Sequence, residues 1–230
     1  MVSENEEGDA LRNKQSLIGG LIILLALLFI GGRIYQAHQN AGHKTKGIDN
    51  VAKVRQKQTN QGKRTIVVFF SRAGQNYPDS DLKIGYTNQI ANLITQKTGA
   101  QQYQIVPQKA YPHNYQATVK RATREQDENA RPQIKNKLPD FKKYDTVFLG
   151  YPIWDAHLPM IMHTFMEAAQ LNGKTIIPFS TNAGSGWSDS LTMLRKQYPQ
   201  ATFKKGLSIP GTDVENSHSK IEKGLVNLGY

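Results

Sequence analysis

The chain has 230 residues, of which 38% are hydrophobic, and this is enough for one globular domain with an appended segment. It carries a formal net charge of +11 and contains no cysteine, which excludes disulfide bonds and thiolate catalysis. No nucleic-acid-binding motif accompanies the positive charge, and the aromatic residues are not interleaved with the basic run, so we expect no nucleic-acid partner.

The first predicted element is an apolar segment near the N-terminus. Residues 17–32 contain no charged residue, and with one neighbour on each side they approach the roughly 17–25 residues of a transmembrane helix. A cleaved signal peptide is the alternative, but its front end would be short and basic, whereas residues 1–15 contain four acidic residues. The sequence therefore predicts a polar tail over residues 1–15 and a membrane anchor over residues 16–33.

A basic stretch follows this anchor. Residues 33–63 carry seven Lys or Arg residues and one acidic residue. This composition predicts a flexible linker over residues 34–63 that either lies on anionic lipid headgroups or is a solvated tether. The excess of positive charge after the anchor favours a single-pass protein of the cell membrane with its globular part on the cytoplasmic side. Because long domains can cross a membrane regardless of charge, the extracellular side stays open as an alternative.

From residue 64 onward, strands and helices alternate. The sequence predicts strands at residues 65–70, 102–106, 146–150, 175–180 and 202–207, of which 65–70, 146–150 and 175–180 are mainly apolar. It predicts helices at residues 87–97, 115–128, 158–169, 188–197 and 214–228. The helix at residues 115–128 is highly polar, so we expect it to be a surface element. The alternation predicts an α/β domain over residues 64–230, with a parallel sheet between two helical layers.

The first candidate site segment is the strand-to-loop sequence TIVVFFSRAGQN at residues 65–76. In parallel sheets, ligands bind outside the carboxyl ends of the strands. The loop that follows this strand offers a hydroxyl, amides, a cation and several backbone N–H groups, which together suit a phosphate group. Its residues are Ser71, Arg72, Ala73, Gly74, Gln75 and Asn76.

Two later strand ends carry further candidates. In VFLGYPIWDAHLP, residues 147–159, Tyr151 and Trp154 either wall a flat ring or pack in the core. In IIPFSTNAGSG, residues 176–186, the strand is followed by small and polar residues that either contact a planar cofactor or form a connector. Because all three loops follow buried strands of one sheet, we expect them at one edge, where they would suit a phosphate ester that bears a ring.

These segments resemble the flavodoxins, and most closely the flavodoxin-like proteins of Gram-positive bacteria. The resemblance is carried by VVFFSRAGQNY, YDTVFLGYPIWDAHLPMIMHTFMEA and LNGKTIIPFSTNAGSGWSDSL, together with the segment AYPHNYQATVKRATREQDENARP and the closing FKKGLSIPGT. It implies a three-layer sandwich around a five-stranded parallel sheet in the order 2-1-3-4-5. It also implies a non-covalently bound FMN.

The resemblance assigns a role to each of the three loops. The phosphate would be held by Ser71, Ala73, Gly74, Gln75 and Asn76; one side of the flavin ring would meet Pro152, Ile153 and Trp154; the other side and the polar ring edge would meet Thr181, Asn182, Gly184, Ser185 and Gly186. This chain differs from the family pattern in an extension at residues 77–85 after the phosphate loop. Thr87 could then supply a missing hydroxyl, and Arg72 could pair directly with the phosphate. The chain also has Asp155-Ala156-His157 where relatives often have a second aromatic residue and a glycine.

The functional expectation is a membrane-anchored redox protein that carries electrons or hydride through FMN. Its partner would be a redox protein, or a quinone or other small acceptor if the protein is an oxidoreductase supplied by NAD(P)H. The alternative is a scaffold that lacks FMN and serves as a membrane-bound interaction module. The six histidines have no metal-ligand spacing, so the sequence predicts no metal site.

Overall fold

The computed structural model describes residues 64–230, and its central feature is a parallel β-sheet. The strands are β1 (Thr65–Phe69), β2 (Gly74–Asn76), β3 (Ser80–Leu82), β4 (Gln101–Gln104), β5 (Thr146–Pro152), β6 (Thr175–Asn182), β7 (Thr202–Phe203) and β8 (Leu207–Pro210). The helices are α1 (Tyr86–Thr98), α2 (Tyr115–Asp127), α3 (Met160–Ala168), α4 (Ser190–Gln197) and α5 (His218–Asn227).

The strand order of the sheet is β4-β1-β5-β6-β7, and β8 pairs with β6 next to β7. All of these pairings are parallel. Since β7 pairs with the start of β6 and β8 with its end, the two share one position at the edge of the sheet. The sheet therefore has five positions, and their order agrees with the predicted 2-1-3-4-5 arrangement.

The last predicted strand, at residues 202–207, is divided into β7 and β8. Residues 204–206 lie opposite only two residues of β6, Ile177 and Pro178. Pro178 has no N–H group to donate to a neighbouring strand, so the ladder is interrupted at this point. A Cβ on Gly206 would lie 2.1 Å from the carbonyl oxygen of Pro178, which shows how closely the two backbones approach there.

Helices cover both faces of the sheet. Along β1, Ile66 and Val68 pack with α3 and α4, whereas Val67 and Phe69 pack with α1 and α5. Every residue of β1 is buried, because the strand has apolar neighbours on both sides. The predicted three-layer arrangement is therefore confirmed, and the core consists of two apolar clusters separated by the sheet.

The extension at residues 77–85 forms part of a β-hairpin that the sequence analysis did not predict. Strands β2 and β3 form an antiparallel hairpin that is separate from the main sheet, with Gly74 opposite Leu82 and Asn76 opposite Ser80. Helix α2 contacts β2 and α3. The hairpin and α2 thus add a partial cover near the carboxyl end of β1.

The predicted tail, anchor and basic linker, at residues 1–15, 16–33 and 34–63, lie outside the described residues. Within residues 64–230, none of the helices combines the length and the hydropathy required to span a bilayer.

Candidate functional site

The carboxyl ends of β1, β5 and β6 border one open crevice, hereafter the crevice. These three strands are neighbours in a parallel sheet, so their ends meet at the same edge. Seven of the predicted site residues line the crevice: Arg72, Asn76, Pro152, Ile153, Trp154, Thr181 and Asn182. Each of the three predicted loops therefore contributes to one candidate site.

The other nine predicted site residues do not line the crevice. They are Ser71, Ala73, Gly74, Gln75, Thr87, Tyr151, Gly184, Ser185 and Gly186. Their contacts show that several of them hold the surrounding backbone in place.

The amino end of α1 lies against the loop that follows β1. The hydroxyl oxygen of Ser71 accepts a hydrogen bond of 3.2 Å from the backbone N–H of Asn88. A Cβ on Gly85, the residue before α1, would lie 2.2 Å from the carbonyl oxygen of Arg72 and 2.4 Å from the Ser71 hydroxyl. Only glycine therefore allows the helix to begin this close to the loop. Helix α1 has no acidic residue in its first turn, so no carboxylate of that turn competes with an anion for its positive end.

Thr87 connects α1 to the end of β6. Its side chain is buried, and its hydroxyl lies 2.8 Å from the hydroxyl of Thr181. Thr181 lines the crevice, whereas Thr87 stands behind it. The structure thus places Thr87 as a support for Thr181.

Arg72 is a half-buried cation that ties the predicted phosphate loop to a neighbouring segment. Its Nη1 donates to the carbonyl oxygens of Ala73 and Pro112, both at 3.0 Å, and of His113 at 3.2 Å. Its Nη2 donates to the carbonyl oxygen of Gln75. Burial lowers the pKa of Arg72 from its ordinary value, but a guanidinium in a protein remains charged.

The Nε of Arg72 is buried, and no atom of residues 64–230 accepts its hydrogen bond. Buried donors are nearly always paired, so the unpaired Nε of Arg72 is a candidate donor to a ligand. Because Arg72 lines the crevice, it brings a positive charge to the side where the phosphate was predicted.

The side chain of Gln75 is used within the protein. Its Oε1 accepts hydrogen bonds from Asn114 Nδ2 at 3.0 Å and from the backbone N–H of Tyr115 at 3.2 Å. Gln75 therefore holds the hairpin against the first turn of α2. Asn76 lines the crevice, and its Nδ2 donates to the carbonyl oxygen of Gly74 at 2.7 Å.

Trp154 begins a tight turn at the end of β5. The backbone N–H groups of Trp154 and His157 each donate to the other's carbonyl oxygen at 3.0 Å. Asp155 and Ala156, between them, have φ angles of 49° and 61°, a left-handed conformation that favours glycine or asparagine. His157 Nδ1 lies 2.6 Å from Asp189 Oδ2 and so links this turn to the start of α4. The turn thus presents Trp154 and Asp155 to the crevice without the expected glycine.

Tyr151 lies in the core and does not form a wall of the site. Its ring is fully buried, and its hydroxyl donates to the hydroxyl of Ser190 at 3.2 Å. Burial raises the pKa of Tyr151 above its ordinary value. Of the two aromatic residues considered at this strand end, only Trp154 lines the crevice.

The loop after β6 is arranged around Asn182. Its Nδ2 donates to the hydroxyl of Ser208 at 2.9 Å, and its Oδ1 accepts from the backbone N–H of Gly184 at 2.8 Å. Gly184 and Ser185 lie at the surface. The side chain of Asn182 therefore shapes the loop, of which Thr181, Asn182 and Ala183 line the crevice and Gly184, Ser185 and Gly186 do not.

One wall of the crevice consists of residues that the sequence analysis did not single out. Helix α2 contributes Tyr115, Thr118, Val119, Ala122 and Thr123, and residues elsewhere contribute Tyr77, Tyr86 and Gly211. We expected α2 to be a surface element because it is so polar. The signal was the pair Val119 and Ala122, which places apolar side chains one turn apart in an otherwise polar helix.

Comparisons with known proteins agree with this geometry. The sequence model described as flavodoxin matches residues 81–223. No curated protein matches the chain.

Solved structures of flavoproteins are similar to this chain. A protein described as a flavoprotein from Bacteroides eggerthii is 30% identical with a TM-score of 0.54, over 70% of this chain and 99% of that one. A similarly described protein from Bacteroides uniformis is also 30% identical with a TM-score of 0.57, over the same shares of the two chains. A Lactobacillus acidophilus flavoprotein in complex with FMN is 16% identical with a TM-score of 0.52, over 67% of this chain and 98% of that one, a likeness of fold alone.

Proposed function

Because the chain belongs to the flavodoxin family, we propose that its α/β domain binds FMN non-covalently at the crevice and acts as a redox protein. The observation that carries this proposal is that one crevice is lined by both Arg72, whose buried Nε has no acceptor within the described residues, and Trp154. An anion-binding donor and an aromatic surface in one site match a ligand with a phosphate at one end and a flat ring system at the other.

The donors near Arg72 fit the phosphate. The first turn of α1 has N–H groups without partners in the helix, and a helix N-terminus favours an anion. Ser71 and Asn76 border the same place. Arg72 supplies positive charge and a free donor, which strengthens a hydrogen bond to a phosphate oxygen.

The ring would lie toward Trp154 and the wall formed by α2. When bound, FMN supplies the one-electron or hydride chemistry, and the protein supplies binding, orientation and electrostatic tuning. Thr181 and Ile153 line the crevice close to the ends of β6 and β5, where they can contact the sugar-like chain and the ring. Asp155 places a carboxylate at the same site.

The direct test is the visible absorption spectrum of the full chain purified from its host, followed by titration of the apoprotein with FMN. We expect flavin absorption bands in the purified protein, and quenching of flavin fluorescence at a stoichiometry of one FMN per chain. A colourless protein whose fluorescence and absorption do not respond to FMN would refute the proposal.

Trp154→Ala is expected to weaken FMN binding about tenfold. Stacking on an aromatic ring contributes about 0.5–1.5 kcal/mol beyond the area it buries, and 1.4 kcal/mol corresponds to tenfold in the dissociation constant. Trp187→Ala is the control, because Trp187 is the chain's other tryptophan and does not line the crevice. Equal losses of affinity in the two variants would argue against a ring site beside Trp154.

Asp155→Asn is expected to raise the midpoint potential of the bound flavin by about 40 mV, since a negative charge nearby opposes the arrival of electrons by about 1 kcal/mol. Asparagine tolerates the positive φ of 49°, so the turn is retained. Potentiometric titration checks the shift against Asp127→Asn, which removes an exposed carboxylate at the end of α2. An unchanged potential in Asp155→Asn would show that this carboxylate does not tune the ring.

Two versions of the redox role differ in the source of electrons. In one, the protein carries electrons between protein partners; in the other, it is an oxidoreductase that uses NAD(P)H or a reduced partner to reduce a quinone or another small acceptor. Stopped-flow mixing with NAD(P)H separates them, because rapid bleaching of the flavin bands requires direct reduction by the nucleotide.

We further propose that residues 16–33 anchor the protein in the cell membrane, with the flavodoxin domain on the cytoplasmic side. The uncharged segment and the basic residues after it support this arrangement. An anchor would raise the effective concentration of a membrane-bound acceptor near the crevice. Fractionation of cells that express the full chain, or a chain without residues 16–33, tests the anchor, and protease access from outside the cell tests the orientation.

The alternative, a scaffold without FMN, is favoured by the internal use of two loop residues. The Gln75 side chain and both terminal nitrogens of Arg72 bind groups of the protein itself. In a scaffold, the loop would serve only to make these hydrogen bonds within the protein. The FMN titration decides between the two functions, because the scaffold predicts no binding.

A further inference from the structure

A buried polar network adjoins Trp154, and its residues do not line the crevice. Tyr111 donates its hydroxyl hydrogen to Glu125 Oε2 at 2.6 Å, and Arg121 Nε donates to Glu125 Oε1, also at 2.6 Å. The Arg121 guanidinium lies 3.9 Å from the centre of the Tyr111 ring, and its Nη1 donates to the carbonyl oxygens of Lys109 and Ala110. The network thus joins α2 to the segment that precedes it.

The same tyrosine packs directly on the tryptophan that faces the crevice. The rings of Tyr111 and Trp154 meet edge to face, with centres 5.0 Å apart and planes at 80°. The Phe70 ring contacts both of these rings, with its centre 5.6 Å from that of Tyr111 and 5.4 Å from that of Trp154. Gln126, next to Glu125 in α2, donates to the carbonyl oxygen of Trp154 at 3.2 Å. The position of Trp154 therefore depends on groups that Arg121 and Glu125 hold in place.

Stability alone is a weak explanation for this network. The side chains of Arg121 and Glu125 are only 12% and 8% exposed. A buried ion pair loses hydration on folding, and apolar residues of similar volume are often equally or more stabilising. An ion pair with defined hydrogen-bond geometry instead restricts the orientation of its neighbours, which apolar packing does less strictly.

We propose that Tyr111 and Glu125 are positioning residues that set the orientation of the Trp154 ring at the crevice and thereby the affinity of the site for a flat ring. This inference rests on the proposed function only for the identity of that ring. Tyr111 acts through edge-to-face packing on Trp154, and Glu125 acts through its hydrogen bond to Tyr111. Arg121 holds the Glu125 carboxylate in place through its hydrogen bond to Oε1, with Oε2 directed toward the phenol.

The test uses the Trp187→Phe background, in which Trp154 is the only tryptophan. Tyr111→Phe keeps the ring and removes the hydrogen bond to Glu125. In the protein without FMN, we expect a lower fluorescence anisotropy of Trp154 and a weaker near-ultraviolet circular dichroism signal. We expect the FMN dissociation constant to rise about fivefold. Glu125→Gln is expected to move all three measurements in the same direction, because Tyr111 and Arg121 donate to two separate carboxylate oxygens and the amide replaces one of these acceptors with an NH2 donor.

Tyr198→Phe is the matched control, since Tyr198 is also buried and donates one hydrogen bond, to the carbonyl oxygen of Met166 at 2.9 Å. It is expected to lower stability comparably and to leave the Trp154 signals unchanged. Unchanged Trp154 anisotropy in both Tyr111→Phe and Glu125→Gln would overturn the inference, as would an equal change in Tyr198→Phe. If the parent protein fails to bind FMN, the proposed function fails, while the Trp154 signals still decide the positioning role.

Discussion

Arg72→Met is expected to lower the free energy of unfolding of the domain by about 3 kcal/mol. The substitution removes a guanidinium that donates to four backbone carbonyl groups, two in its own loop and two at residues 112 and 113. Hydrogen bonds to a charged group contribute about 1.5–3 kcal/mol each, but solvent can replace part of what is lost at the exposed ones. The total is therefore well below the sum of four such bonds.

The same substitution is expected to weaken FMN binding at least tenfold. Arg72 provides the crevice with positive charge and has an unpaired Nε, and methionine has neither. A charge-assisted hydrogen bond to a phosphate is about twice as strong as a neutral one. Arg72→Lys separates the two roles, because lysine retains the charge but lacks the planar fork that reaches several carbonyl groups at once. We therefore expect Arg72→Lys to lose most of the stability and only part of the affinity.

Urea unfolding of the apoprotein and FMN titration of each variant provide the measurements. Arg124→Met is the control, because Arg124 is exposed and its side chain makes no hydrogen bond with any residue that the structure describes. An unfolding midpoint in Arg72→Met equal to that of the parent would show that the guanidinium does not anchor the loop. Unchanged FMN affinity would remove Arg72 from the phosphate site.

Gly85→Ala is expected to weaken FMN binding about 30-fold. The new Cβ would lie 2.2 Å from the carbonyl oxygen of Arg72, so the start of α1 or the loop after β1 must move. Overpacking of this kind costs about 1–3 kcal/mol of folding stability. The loss of affinity comes from displacing the helix N-terminus from the phosphate, an interaction of up to about 2 kcal/mol in a partly buried site. The hydrogen bond between Ser71 and Asn88 would lengthen at the same time.

Gly173→Ala is the matched control for this prediction. Gly173 has a φ of 77°, with open space around the position of a Cβ, and it precedes β6 at the opposite edge of the sheet from the crevice. Alanine there costs about 1–2 kcal/mol of backbone strain and should leave FMN affinity unchanged. Calorimetric titration with FMN compares the affinity of the two variants, which are expected to be destabilised to a similar extent. A normal dissociation constant for Gly85→Ala would mean that α1 does not contribute to the phosphate site.

According to these predictions, the loop after β1 determines both the stability of the domain and the affinity for the cofactor. Arg72 binds the backbone with its terminal nitrogens and leaves its Nε free. Gln75 binds the start of α2, the helix that carries the network adjoining Trp154. A substitution in the phosphate loop is therefore expected to alter the ring end of the site as well, through its contact with α2.

The sequence was sufficient to predict the central strands β1, β5 and β6, because buried parallel strands require apolar runs that are visible without any tertiary information. It also predicted that the loops after β1, β5 and β6 would meet, since parallel strands place their carboxyl ends at one edge. It did not predict the division of the last strand, because this depends on Pro178 of a neighbouring strand. The β2–β3 hairpin was also missed, because three-residue strands carry almost no periodic signal.

The sequence by itself determined the fold class, the edge that carries the site, and the residue types available for a phosphate and a ring. Only the tertiary structure decided which of those residues line the crevice. Tyr151 lies in the core, and the side chain of Gln75 accepts a hydrogen bond from the first residue of α2. One face of the polar helix α2 forms a wall of the site. The physical reason is that local spacing sets which face of an element is apolar, whereas side-chain partners come from segments distant in the chain. Tyr111 and Trp154, 43 positions apart, show this most clearly.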